Sequence, residues 1–245
     1  MSELVFVGTS DAFGAGGRRQ SAMLLRAPHG AALLDCGGTT CSGLSALGIS
    51  RNEIDAIVVS HFHADHFGGI PTFLLAAIYE DRRRHLLRIA GPRGVESRVR
   101  AAAAALGHNF EDRQFPFPLS FHELPVGTHQ EVGPIRVRAF ETKHQLDSNP
   151  HGLSVQAGPK HLAFSGDTGW FEGLPDQVRG ADLFVCECTL LTPQFEYHLS
   201  LEELTQQRET FDCGSMILTH LGESMVARRG SCAFETADDG LVVKL

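Results

Sequence analysis

No run of about 18 consecutive apolar residues occurs in the 245-residue chain, so nothing in it reads as a helix that crosses a bilayer. A basic excess is missing as well: 21 lysines and arginines stand against 29 aspartates and glutamates, for a formal charge of -8. Non-specific binding to a polyanion is therefore not the default expectation. Six cysteines, without the spacing of a small disulfide scaffold, fit a reducing compartment. Cys186 and Cys188 alternate along one apolar run as small buried groups do, and no second paired motif makes them a zinc knuckle. No charged leader precedes an apolar segment either. The opening "ELVFVG" reads as a strand, and the expected location is the cytoplasm. Repeats and low-complexity linkers are absent too.

What is there is an α/β pattern. Short runs rich in Val, Ile, Leu and Phe recur as "LVFVG", "SAMLLRA", "AALLDCG" and "AIVVSH", which predict strands. Helices are expected over "GGIPTFLLAAIYEDRRR" and "GVESRVRAAAAALG", the latter closing on Gly107. The segment "NFEDRQFPFPLSFHELP" holds three of the eleven prolines and reads as a connection. A second strand-rich half follows, with one clear helix, "SLEELTQQRETF", opened by a Ser200–Glu203 capping box. The expectation is a single domain over residues 1–245, built of two packed halves of about 1–115 and 116–245. One basic stretch stands out, with seven of the 21 cationic residues between Arg82 and Arg100. A solvated helix and loop face is its simplest reading, and a phosphate- or RNA-facing patch the alternative.

The densest chemistry lies in "IVVSHFHADHFGGI". His61, His63, Asp65 and His66 fall within six residues, at a strand-to-helix turn. His61 and His63 share a face while strand geometry persists, whereas Asp65 and His66 reach a second point past the bend. Imidazole nitrogen and carboxylate oxygen suit zinc, and also iron or manganese. Four residues cannot complete two metal sites, so further ligands are expected at other strand ends. His144 after "IRVRAFETK", Asp167 after "HLAFSG" and His220 after "SMILT" each occupy such an end. His29, His85, His108, His122, His129 and His161 lie in turns, mid-strand or on helix edges, and read as surface or core residues.

The series H-x-H-x-D-H, a lone downstream His, a G-D and a late T-H resembles the metallo-β-lactamase-fold hydrolase superfamily over essentially the whole chain. The resemblance implies an α/β fold (α+β in some schemes), a four-layer αββα sandwich with metals at one edge. Within the superfamily the chain is most similar to the phosphodiesterase branch, which includes the tRNA 3′-end nuclease RNase Z and the cyclic phosphodiesterases of phosphonate breakdown. "GTSDAFGAGGRRQSAMLL" with "LLDCGGTT", "HQLDS" from His144, "ECTLL" with "YHLSLEEL", and "ILTHLGE" carry that likeness. It implies that His61, His63 and His144 hold one divalent ion, that Asp65, His66 and His220 hold a second, and that Asp167 bridges. Zinc is the expected metal, with manganese or iron as alternatives. Such a pair would acidify a shared bridging water and brace the attacking and leaving oxygens. Asp65, His198 and Glu187 are the implied catalytic residues. His198 would be a cation or general acid on an overhanging loop, and Glu187 its orienting partner. Asp35 either supports a ligand histidine or simply forms a turn ahead of Gly37.

Departures narrow the expectation. Residues 90–125 contain no basic, glycine-rich arm of the kind that grips tRNA, and "GTSDAFGAGGRRQ" has no cysteine for an accessory zinc site. "HQLDSNPHG" is two residues longer than the branch's usual spacing, and His151 within it reads as a loop residue, with a substrate contact as the alternative. The expected activity is dinuclear metal-dependent hydrolysis of a small cyclic or linear phosphodiester. RNase Z-like RNA 3′-end cleavage, or β-lactam, amide or thioester hydrolysis, are the alternatives. A di-iron oxidoreductase or sensor ranks lower, for want of a flavodoxin-like segment. The expected partner is a small hydrolysable molecule; RNA ranks below it, no membrane is involved, and a homodimer is allowed for.

Overall fold

A computed structural model describes residues 2–111 and 113–245. The first half supplies β1 (Glu3–Gly8), β2 (Ala22–Ala27), β3 (Gly30–Leu34), β4 (Ile54–Val58) and β5 (Leu87–Gly91), and β6 (Leu119–Glu123) opens the second. The second half continues with β7 (His129–Val132), β8 (Ile135–Glu141), β9 (His151–Ala157), β10 (Lys160–Phe164), β11 (Ala181–Glu187), β12 (Cys213–Thr219), β13 (Glu235–Thr236) and β14 (Val242–Lys244). They form two seven-stranded sheets, β14-β1-β2-β3-β4-β5-β6 and β13-β12-β11-β10-β9-β8-β7. Both β6 and β14 join the first sheet although they follow residue 115 in sequence. Each sheet runs antiparallel through three strands or more and then turns parallel, from β3 to β6 and from β10 to β13. The parallel strands of a sheet therefore end at the same edge.

Strands with both faces apolar must be covered on both, and alternation decides what covers which. In β1, Leu4 and Phe6 enter a central core with Val155, Phe164 and Val185 of the opposite sheet. Val5 and Val7 face outward into a second core shared with the helices. In β11, Leu183 and Val185 turn inward, while Phe184 and Cys186 enter a third core on the far side. The helices are α1 (Thr40–Ala46), α2 (Ala64–Phe67), α3 (Ile70–Tyr79), α4 (Val95–Ala105), α5 (Leu174–Gln177), α6 (Leu201–Gln206) and α7 (Glu223–Val226). Residues of α1, α3 and α4 pack on the first sheet, and residues of α5, α6 and α7 on the second. The result is the expected four-layer αββα sandwich, with one inner core and two outer ones.

Local differences have local causes. The capping box is present, with Glu203 N–H donating to Ser200 Oγ (3.2 Å) and Ser200 N–H to Glu203 Oε2 (3.0 Å). Yet α6 stops at Gln206 and a 3-10 turn takes over at Arg208–Thr210, so that Phe211 can pack its ring against Phe184 and Trp170. Among the basic stretch, Arg83 fits neither expectation: it is 1% exposed. Its guanidinium donates to the carbonyls of Ile54 (2.7 Å), Leu86 (3.0 Å) and His85 (3.0 Å). Arg100 is tied to Glu96 and Phe110, and Arg98 to the Asp147 carbonyl. Much of this positive charge is committed within the chain.

Candidate metal centre

The strand β4 delivers Ser60 and His61 to the sandwich edge, and the chain bends at once into the single-turn helix α2, with the extended backbone of His63 just before it. That turn lies hard against the segment after β3. A Cβ at Gly37 would meet the Asp65 carbonyl at 2.2 Å, so only glycine lets the two backbones approach. The other contributors also follow strand ends: His144 after β8, Asp167 after β10 and His220 after β12. Asp35 (φ 61°) and His220 (φ 55°) adopt left-handed backbone, which costs a non-glycine residue on the order of 1–3 kcal/mol. Packing around the site holds both there.

All seven expected ligand residues meet in two overlapping tetrads, His61/His63/His144/Asp167 and Asp65/His66/Asp167/His220, with donor atoms within 4.8 Å of one another. In the first, His63 Nδ1 lies 3.2 Å from His61 Nε2 and 3.1 Å from His144 Nε2. Asp167 Oδ2 lies 3.7 and 3.9 Å from those two Nε2 atoms. In the second, His66 Nε2 is 3.3 Å from Asp65 Oδ2 and 3.1 Å from Asp167 Oδ1, and His220 Nε2 is 3.1 and 3.5 Å from the same two oxygens. Asp167 thus turns one oxygen to each group.

The outer nitrogens decide where the protons sit. His144 Nδ1 faces the Tyr197 carbonyl at 2.9 Å, an atom that can only accept. His66 Nδ1 faces Asp35 Oδ2 at 2.6 Å. Ser60 Oγ donates to Asp35 (2.9 Å) and so is left to accept from His61 Nδ1 (3.0 Å). Each of these rings, when neutral, carries its proton outside and turns a bare Nε2 lone pair inward. Asp35 is thereby both the turn-former and the support that the sequence left undivided: it also accepts from Ser60 N–H at 2.7 Å.

Lone pairs facing one another across about 3 Å need a cation between them. A tetrahedron with arms of 2.0–2.2 Å has edges of about 3.3–3.6 Å, and the distances above bracket that value. His66 Nε2 and Asp167 Oδ1 are buried and, despite their 3.1 Å separation, neither makes a directed hydrogen bond. A shared ligand beyond the protein's own atoms would satisfy both, so the donor set fits divalent metal. Ionisation points the same way. Burial opposes charge on Asp167, yet the neighbouring His220 and His66 hold its carboxyl well below the usual range. Burial opposes charge on His66 and His220 too, and the aspartates overcome it and raise both. His61 is pushed well down, by burial and by the adjacent imidazoles.

Beside the tetrads stands a third group, Glu187, His198 and His220. Glu187 is fully buried. Its Oε1 accepts from Thr168 N–H (2.9 Å) and His198 Nδ1 (2.8 Å), and its Oε2 from Thr189 N–H (3.1 Å) and Thr189 Oγ1 (2.9 Å). The alternation that gave Cys186 to the outer core aims Glu187 into the site, so Glu187 and His198 are in contact. The His198 ring stacks on His220 with centroids 5.6 Å apart and stands edge-on to His144 at 5.1 Å. Burial disfavours its cation, but the charge and hydrogen bond of Glu187 outweigh this and push its pKa up to about 9. Sequence reading missed Ser60, Thr168, Thr189 and the Tyr197 carbonyl. Ser60 and Thr189 directly adjoin the motifs, and that adjacency was their one available signal. His151, expected in a loop, instead opens β9 opposite Glu141; it joins neither tetrad and lines a cavity of about 560 Å³ on the β8–β9 side, with Arg93, Leu146 and Asn149.

The family model described as "Anti-Pycsar protein Apyc1" matches residues 2–237. A ribonuclease Z of Mycobacterium sp. (strain KMS) is 28% identical over 241 residues, covering 90% of this chain and 84% of that protein. Among solved structures, the metallo-β-lactamase-fold protein YhfI from Bacillus subtilis superposes with a TM-score of 0.79 at 19% identity, covering 100% of both chains. A diphosphatase of the PhnP family superposes with a TM-score of 0.80 at 15% identity, over 100% of this chain and 98% of that one. The architecture is the metallo-β-lactamase fold, as the sequence motifs led one to expect.

Proposed function

The chain belongs to the family described as Anti-Pycsar protein Apyc1 and is a metal-dependent hydrolase, and on that footing we propose that it hydrolyses a small cyclic or linear phosphodiester at a dinuclear site. The observation that carries this reading is the pair of tetrads sharing Asp167, with His198 alongside. A lone pair of metals would serve many hydrolyses. A cationic imidazole held by a buried carboxylate suits one that must neutralise a phosphoryl oxygen and release an alkoxide.

In this reading His61, His63, His144 and Asp167 would hold one ion, and Asp65, His66, His220 and Asp167 the other. Two divalent ions bound there, zinc first among them, would supply Lewis acidity to a water and to the phosphoryl oxygens. Glu187 fixes His198 through Nδ1, so Nε2 is the atom from which a proton passes to the leaving oxygen. Asp35, Ser60 and the Tyr197 carbonyl keep ring protons away from the ion-facing nitrogens.

Metal-replete protein is to be assayed on bis-p-nitrophenyl phosphate, cyclic nucleotides, sugar cyclic phosphates, a pre-tRNA and a thioester. Chelator-sensitive turnover of the small diesters, well above that of pre-tRNA, is the expected outcome. Preference for the thioester, or turnover that survives chelation, sinks the proposal. The committed arginines of the Arg82–Arg100 stretch weigh against the RNA reading.

Two further outcomes follow. The raised His66 and His220 hold protons that a metal must displace, so ion binding releases protons. Those protons are bound below the raised values and absent above them, so apparent zinc affinity falls as pH falls, by about tenfold per pH unit for each proton displaced. Chelator competition at several pH values measures this, and a flat profile refutes it. Asp35→Asn keeps a side chain able to support the turn but loses the carboxylate that holds His66 Nδ1–H. It is expected to weaken zinc binding by about 10–100-fold while leaving the fold intact by circular dichroism.

A further inference from the structure

Thr189 ends the "ECT" stretch after β11, and its hydroxyl has no role in the reading above. Four polar atoms surround Oγ1: His220 Nδ1 at 2.8 Å, Glu187 Oε2 at 2.9 Å, the His220 carbonyl at 3.1 Å and His198 Nδ1 at 3.3 Å. A hydroxyl has one proton to give and lone pairs to receive with, so these contacts cannot all be alike. Glu187 Oε2 and the His220 carbonyl only accept, and the carboxylate is both nearer and charged, which makes it the better acceptor. With the hydroxyl proton on Glu187, the Thr189 lone pairs face His220 Nδ1, and that nitrogen must carry a hydrogen. A neutral ring protonated there leaves Nε2 bare, and Nε2 is the atom 3.1 Å from Asp65 Oδ2 in the second tetrad. The reverse arrangement, with the hydroxyl donating to Nδ1, puts the ring proton on Nε2, where it blocks the lone pair that the tetrad needs. It also strips Glu187 Oε2 of one of its two donors.

We propose that Thr189 is a positioning residue that fixes His220 with its Nε2 free for a metal and, through Glu187, ties that ligand to His198. The inference rests on the proposed dinuclear reading. Hydrogen bonds then run without a break from His220 Nδ1–H to Thr189 Oγ1, from the Thr189 hydroxyl to Glu187 Oε2, and from His198 Nδ1–H to Glu187 Oε1. One hydroxyl and one carboxylate thus stand between the ligand of one ion and the group assigned to the leaving oxygen.

Thr189→Val removes the hydroxyl at nearly constant shape, Thr189→Ala does so where valine disturbs folding, and Thr189→Ser keeps it. Competition with a chromophoric chelator is expected to show one of two zinc ions weakened about 10–100-fold in the valine variant and the other unchanged, with wild-type affinity at the weakened site restored by serine. Nitrogen NMR of histidine-labelled, metal-free protein, at a pH where the His220 ring is neutral, reads the ring directly: its proton sits on Nδ1 in the wild type and the serine variant. Wild-type affinity in the valine and alanine variants overturns the proposal, and so does a wild-type His220 protonated at Nε2. If the wild type binds no zinc, the metal reading falls by itself and the ring spectrum still decides the contact. For the link to His198, Thr189→Val at saturating zinc is expected to cost about tenfold in rate alone and nothing further in a His198→Ala background. Equal losses in both backgrounds break that link.

Discussion

Asp167→Ala is expected to lower turnover of bis-p-nitrophenyl phosphate by at least about 10³-fold and to leave the purified protein with fewer than two bound ions. Among the described residues no other side chain belongs to both tetrads: Oδ2 lies against His61 and His144, Oδ1 against His66 and His220. Its removal also deletes the charge that raises His66 and His220, so the surviving rings lose their main electrostatic partner. Chelation of the wild type should reproduce the loss, and re-addition of zinc or manganese should reverse it there but not in the variant. Turnover that persists in Asp167→Ala at half the wild-type rate would end the dinuclear mechanism. Element analysis belongs in the same experiment, since retention of two ions without activity would assign Asp167 to chemistry alone.

His198→Ala should keep its metals and still lose more than about 10²-fold in kcat for a substrate with a poor leaving group. The loss should shrink for a p-nitrophenolate ester, whose leaving oxygen needs no proton. The pH profile supplies the sign. A general acid works while protonated, and Glu187 raises His198 against its burial, so wild-type activity holds through neutral pH and declines as pH rises past the His198 value. Cations in the tetrads draw that value below the metal-free one of about 9. In the alanine variant the alkaline decline should vanish. An unchanged profile with unchanged kcat would return His198 to an ordinary surface role.

How much of this could be read in the chain depends on which residues act locally. His61, His63, Asp65 and His66 crowd one turn, and His144, Asp167 and His220 each close an apolar strand, so their convergence followed from strand ends sharing an edge. Asp35 was half legible: its turn was local, whereas its hydrogen bond to His66 spans 31 positions. The hydroxyl of Thr189 was opaque, because its role exists only once β11 and β12 lie side by side. The four-residue helices α5 and α7 are too short to show a helical period. Arg83 defeated the reading of charge as surface. Two of its carbonyl partners, His85 and Leu86, lie in its own turn and the third, Ile54, opens β4 29 positions away; nothing in "DRRRH" separates it from its neighbours.

His61 to His66 stand on one sheet, and His144, Asp167 and His220 on the other. Any ion seated in either tetrad therefore rivets two layers that are otherwise joined mainly through the greasy seam between them. Such a rivet makes metal supply and mechanical integrity one quantity: a cell starved of the ion would hold a looser sandwich as well as an idle one.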